Sequence, residues 1–168
     1  GLTILGNRTH SLAIRNAYTE VSHCAFVGGT DQLSFEGGGG LVSHCQFKGA
    51  GDDAIDADNS VSWTVEHCTI KGARDDGIEV RLHTKKGPVT THIARYNTFT
   101  ECTTGIQFID YAGDSHRRFE IHGNVFKNTG STALDCTVHT SNRNTDGSPM
   151  VEEAILFGNT IDGCQNGI

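Results

Sequence analysis

Two stretches of near-identical spacing, GDDAIDAD from Gly51 and RDDGIEVR from Arg74, hold the carboxylates Asp52, Asp53, Asp56, Asp58, Asp75, Asp76 and Glu79. Like charges brought together destabilise a fold unless something neutralises them. Three agents are available. A hard cation such as Ca²⁺ takes about six to eight oxygen ligands, which carboxylates from two stacked segments can supply. Arg74 and Arg81 can form charge-assisted pairs with the same acids. The aspartates can also cap turns through local backbone N–H groups. For the cation, Asp53, Asp56, Asp76 and Glu79 are the candidate ligands.

Directly after the second stretch the chain reads RLHTKKGP, which places Arg81, His83, Lys85 and Lys86 beside the acids. This combination has a chemical logic for a polymer of uronic acids. A cation or a positive side chain neutralises the sugar carboxylate and acidifies the adjacent C–H, and a base then removes the proton. Arg81 is the candidate neutralising group, and Lys85 or His83 the candidate base. A second segment, DYAGDSHRR from Asp110, offers Tyr111, His116, Arg117 and Arg118 as sugar-binding candidates. A third, VHTSNRNTDGSPMVEE from Val138, adds His139, Arg143 and Asp146. The alternative for all three is a solvated, charged loop.

What positions these residues is a repeat. One pattern recurs six times: an Asn or Cys, an aromatic or Ile two residues later, and a Leu or Ile nine or ten residues on. The copies start at Val21 (VSHCAFVGGTDQLSF), Val42 (VSHCQFKGAGDDAIDA), Val65 (VEHCTIKGARDDGIEV), Ala94, Ile121 and Leu156, with a partial copy at Ile4. The anchors Cys24, Cys45, Cys68, Asn97, Asn124 and Asn159 are 21, 23, 29, 27 and 35 residues apart. Apolar positions alternate inside each copy, which is strand period. Twenty-one glycines and a hydrophobic fraction of 36% argue against long helices and for a narrow, regularly patterned core. Repeats of this length imply stacked coils.

The N-x-[FI] pattern followed by [GA]-[IL] resembles the repeat of right-handed parallel β-helices of the pectin-lyase-like superfamily. The resemblance implies an all-β solenoid of about six to seven coils, a single domain over residues 1–168, with insertions at 82–91, 111–119 and 138–153. In such a stack equivalent residues of neighbouring coils lie about 4.8 Å apart, so the alignment reads as vertical columns. The anchor column is an inward ladder of Asn and Cys at a sharp bend. His23, His44 and His67 precede it, where stacked imidazoles could ligate a transition metal if their nitrogens converged; later coils carry Tyr96, Gly123 and Gly158 there, and a position taking both His and Gly reads as a bend of unusual φ. The three neighbouring thiols of the anchor column could form a soft metal site or disulfides, but all six cysteines have a packing explanation and are expected mostly as free thiols, without zinc. Ser34, Asp56, Glu79, Gln107 and Asp135 form a column expected to face outward.

Activity motifs are sparser. The GDD at Gly51–Asp53 resembles one element of polygalacturonase-like hydrolases, but the NTD at Asn144–Asp146 falls after it and there is no GHG. The DPHD of mannuronan epimerases is absent, and GGTDQLSFEGG from Gly28 resembles a single imperfect turn of the calcium-binding nonapeptide repeat. The DDAID and DDGIE coils are similar to β-helix modules of large secreted bacterial proteins, which implies an extracellular location. A net charge of −7 with no basic run longer than two residues disfavours nucleic acid, and no stretch of 18 apolar residues is present. The expectation is therefore a secreted module that binds or processes a polysaccharide, with Ca²⁺-dependent lyase-type cleavage of a uronic-acid polymer as its sharpest form. The alternative is a non-catalytic structural or adhesive module. The chain starts at a partial coil and ends at Asn166-Gly167-Ile168 with no capping segment. That predicts a neighbouring domain or self-association through uncapped ends.

Overall fold

The computed structural model describes residues 1–82, 89–110, 117–137 and 153–167. Each coil passes through three parallel sheets, here sheets A, B and C, of seven, six and six strands. One full coil runs Thr69–Lys71 in sheet A, Asp76–Leu82 in sheet B and Thr90–Arg95 in sheet C, and re-enters sheet A at Thr98–Thr100. The register follows the sequence columns: Ile70 lies against Phe47 and Phe99, Ile78 against Ile55 and Ile106, and Val65 against Val42 and Ala94.

The bore is filled by those columns. Phe26, Phe47, Ile70, Phe99 and Phe126 are all buried, and so are Leu33, Ile55, Ile78 and Ile106. Like rings stack, Phe26 on Phe47 at 4.7 Å and Phe99 on Phe126 at 4.8 Å between centroids. Each such side chain contributes roughly 1.5–3 kcal/mol by burial, and every coil repeats the contribution.

Two corners shape the coil. Between sheets C and A the chain turns through a left-handed residue, with φ of 55°, 53°, 53° and 56° at His23, His44, His67 and Tyr96, followed by the inward anchor. The asparagine anchors close this corner as a ladder. The N–H of Cys68, Asn97 and Asn124 donates to the side-chain oxygen of Asn97, Asn124 and Asn159 at 2.9, 3.0 and 3.0 Å. The amide nitrogens of Asn97, Asn124 and Asn159 donate in turn to the carbonyls of Val65, Ala94 and Ile121. Cysteine fills the same slot in the earlier coils, where Cys45 and Cys68 are buried free thiols.

Strand ladders continue into the segments read as insertions. Leu82 pairs with Asp110, Thr90 with Arg117 and Arg118 with Glu153. Residues 82, 90–91, 117–119 and 153 are therefore strand, because parallel pairing extends as far as both neighbouring coils supply backbone partners. Among the described residues no helix is long and apolar enough to cross a membrane.

Candidate functional site

The acids gather on the outer side of sheet B, and a local irregularity brings them together. In a regular strand Asp53 and Asp56, three residues apart, would point to opposite faces. Here Ala54 and Ile55 both face the core, so Asp53 and Asp56 come out on the same side. The next coil repeats the device with Gly77 and Ile78. The ladder there passes from the Asp76–Thr104 pair to the Ile78–Ile106 pair, and a Cβ on Gly77 would run into the ring of Phe99. Small residues at this position, Ala54, Gly77, Gly105 and Ala133, let the aromatic column of sheet A approach.

Carboxylate oxygens of Asp53, Asp56 and Glu79 lie within 4.8 Å of one another. The three residues are 2%, 2% and 6% exposed. Overlapping groups are formed by Asp53, Asp75 and Asp76, by Asp31, Asp52 and Asp53, and by His10, Asp31 and Asp56. Part of this is turn capping. The N–H of Asp53 donates to Asp31 Oδ1 at 3.3 Å, and the N–H of Asp76 donates to Asp53 Oδ1 at 2.9 Å. The column expected to face outward does so, but it is enclosed: Ser34 is fully buried, its hydroxyl 3.5 Å from Asp56 Oδ2.

Arg81 sits in the middle. Its guanidinium lies 3.3 Å from Asp56 Oδ1, 3.1 Å from Asp58 Oδ1 and 2.8 Å from Glu79 Oε2. Burial opposes its charge, but Glu79, Asp56 and Asp58 outweigh burial and hold the group above the usual arginine range. Among the described residues, Arg81 is the guanidinium that touches Asp56, Asp58 and Glu79. Burial, then the charge of Glu79, pushes the Asp53 carboxyl up to about 9. Burial raises Glu79 to about 7 against the pull of Arg81, and burial with the neighbouring Asp58 raises Asp56 to about 6. Asp31 is raised as well, mainly by burial. Near neutral pH the site therefore holds a protonated Asp53 beside carboxyls poised to ionise.

The sequence candidates separate in space. Asp53, Asp56 and Glu79 converge, and Asp76 joins them through Asp53. Arg81 touches the cluster from within it, so its guanidinium is engaged by protein carboxylates rather than presented to a sugar. Arg117 and Arg118, expected in a loop, are neighbours in the strand Arg117–His122 of sheet C and point opposite ways. Arg117 is 8% exposed and donates to the Ser60 carbonyl and Thr90 Oγ1, both at 2.6 Å. Its place is inside the wall, not at a groove. Arg118 pairs with Glu120 and Glu153 on the outside of sheet C, away from the acids. His83, Lys85, Tyr111 and His116 lie outside the described residues. One participant was not read from the sequence: His10, 3.2 Å from Asp31 and 3.4 Å from Glu36. It is in register with Asp31; the partial copy read at Ile4 sets Ile4 level with Val21, whereas the structure pairs Ile4 with Phe26, so the first coil was aligned out of register.

Residues 1–148 match the family model described as a right-handed β-helix region. The chain belongs to that family. No curated protein matches this β-helix. Among solved structures, it aligns with WceF of Pantoea stewartii, described as a glycan biofilm modifying enzyme with a bacteriophage tailspike-like parallel β-helix fold. The identity is 12% and the TM-score 0.49, over 99% of this chain and 27% of that one. The β-helix described here thus spans about a quarter of that protein's length.

Proposed function

We propose that this β-helix is part of an extracellular protein that binds a uronate-bearing polysaccharide along the outside of sheet B, with Ca²⁺ held by Asp53, Asp56 and Glu79 and supported by Asp76. The observation that carries this reading is the convergence of three buried carboxylates, with oxygens within 4.8 Å of one another and Arg81 against two of them. The donor set fits: it is all oxygen, and two ligands on opposite sides of a Ca²⁺ ion, each about 2.4 Å away, are about 4.8 Å apart. When bound, such an ion supplies positive charge that neutralises a sugar carboxylate and acidifies the C–H beside it. The chain's own residues do the rest. Asp53 would have to release its proton on binding, Asp53, Asp56 and Glu79 would supply the carboxylate oxygens, and Arg81 would hold Asp56 and Glu79 in place. In the lyase form of this reading Lys85 or His83 would take the proton from carbon while the glycosidic C–O bond breaks and its oxygen leaves as a hydroxyl protonated by water, and Tyr111 and His116 are the proposed sugar-binding residues.

A calorimetric Ca²⁺ titration of chelator-stripped protein, beside an Asp53→Asn/Asp76→Asn variant, tests the cation. Saturable binding lost in the variant is expected, and no binding by the native chain would overturn it. Lyase action is expected to yield an unsaturated uronide seen as new ultraviolet absorbance, abolished by chelator.

A second reading, a non-catalytic structural or self-associating module, is favoured by one observation. Arg81 and the Asp31 and Asp53 caps satisfy much of the cluster internally. It calls for a sedimentation mass that rises with concentration, and a strictly monomeric profile would rule out the self-association.

A further inference from the structure

The corner between sheets C and A carries a second row of chemistry-bearing side chains, remote in kind from the acids. His23, His44 and His67 hold the same position in three successive coils. Their rings stack with centroids 5.0 and 5.0 Å apart and planes 23° and 4° from parallel, and Tyr96 continues the stack 5.2 Å beyond His67. All four side chains are exposed. The backbone beneath them is left-handed at each step, a conformation that costs an L-residue roughly 1–2 kcal/mol. Gly123 and Gly158 occupy the same corner in later coils, where it costs little. Strain kept at three consecutive coils is a reason to look for a use. The corner is also firmly held, since His23, His44 and His67 donate their N–H groups to the carbonyls of Ser43, Glu66 and Arg95 at 3.1–3.2 Å. Three imidazoles are thus presented to solvent at one-coil spacing from a fixed backbone.

We propose that this ladder binds one borderline divalent metal ion of the zinc, nickel or copper class, chelated by His44 together with either His23 or His67. Imidazole nitrogen suits these metals. Metal–nitrogen bonds of about 2.0–2.1 Å require the two nitrogens to lie within about 4.2 Å. Rings 5.0 Å apart are close to that, and exposed imidazoles can turn about their side-chain torsions to close the remainder. All three cannot converge, because the outer two are separated by about 10 Å along the stack. His44 belongs to both pairs and serves one at a time, so the ladder takes one ion and not two. Neighbouring groups are otherwise engaged: Glu66 is held by Arg95 at 2.6–2.7 Å, and the Cys24 thiol donates to the Ser22 carbonyl at 3.3 Å.

Ni²⁺ is the probe, titrated calorimetrically into the native chain and, independently, into an Asp31→Asn/Asp53→Asn variant, which removes a member of each acidic group of sheet B, so that the outcome does not depend on those acids. One ion per chain is expected in both. His44→Asn, which keeps a residue tolerant of the left-handed corner, should weaken binding by at least the roughly tenfold that losing even an outer-shell partner costs a metal site. His23→Asn or His67→Asn alone leaves one of two equivalent pairs and should weaken it only about twofold. The double variant His23→Asn/His67→Asn should match His44→Asn, and serves if the latter fails to fold. Paramagnetic broadening should reach the ring signals of His23, His44 and His67 before any other imidazole. Unchanged affinity in both His44→Asn and the double variant, two ions per chain, or broadening that starts elsewhere would overturn the proposal.

Discussion

Two ladders cross this β-helix at its corners, one of amides and one of carboxylates, and they solve the same geometrical problem differently. At the corner between sheets C and A, each asparagine oxygen accepts the N–H of the coil before it, and the amide nitrogen donates to a carbonyl. At the corner between sheets A and B, Asp31 and Asp53 accept the N–H of the coil after them in the same manner. A carboxyl group lacks the amide hydrogens that the first ladder gives to carbonyls, so the second ladder places an ionisable group where the first places a neutral one. Folding alone would be served by asparagine at both corners. That difference is what the proposed cation site rests on.

The largest expected effect comes from breaking the amide ladder. Asn124→Ala removes the acceptor for both the N–H and the side-chain amide of Asn97, and the donor to Ala94. Buried groups left unpaired cost about 1–3 kcal/mol each, so a urea midpoint lowered by roughly 3 kcal/mol in free energy is expected. A loss under about 1 kcal/mol would mean that the ladder is ornamental.

Next comes pH. Burial raises the Asp53, Glu79 and Asp56 carboxyls to about 9, 7 and 6 in the folded chain, from ordinary values of 3.8, 4.5 and 3.8. Above pH 4 the unfolded chain has released protons that the folded chain still holds, so stability falls as pH rises. Their contribution is fully present below about pH 4 and lost progressively through pH 6, 7 and 9. Chelator-treated protein should therefore lose thermal midpoint across that window, and saturating Ca²⁺ should flatten the loss. A midpoint that climbs between pH 5 and 8 without cation would contradict the buried cluster.

A smaller effect sharpens the comparison from the acidic side. Asp53→Asn keeps an oxygen for the Asp76 N–H while removing the buried acid. In chelator it should stabilise the fold at pH 8 by on the order of 1 kcal/mol and do less at pH 4.5. Destabilisation at both values would show that the carboxylate itself is structural.

The smallest effect extends the amide ladder. Cys68 Sγ lies 3.4 Å from the Cys45 N–H and 3.8 Å from the Val42 carbonyl, where an asparagine would place its oxygen and nitrogen. Cys68→Asn should raise the urea midpoint by about 1 kcal/mol, the usual net value of a buried hydrogen bond. A drop would mean that the earlier coils are packed too tightly for the larger side chain.

Much of this was legible in the chain. A solenoid turns a sequence period into a stacking direction, so aligning VSHCQFKG with VEHCTIKG already placed Phe47 on Ile70 and Asp56 on Glu79. His23, His44 and His67 were legible as a left-handed corner because glycine takes the same position later. The site was legible as a set of columns but not as an arrangement. Simple alternation separates Asp53 from Asp56, and only the paired inward residues Ala54 and Ile55 put them on one face. Nothing in RLHTKKGP shows that Arg81 turns back onto Asp56, Asp58 and Glu79, or that Arg117 enters the wall.

The sequence by itself determined which residues stack, because one coil's translation carries every residue onto its equivalent in the next. Only the tertiary structure decided which stacked residues share a face, which are enclosed and which ions they meet. Those depend on a backbone irregularity of one residue and on the directions of long side chains, and neither is written in a period.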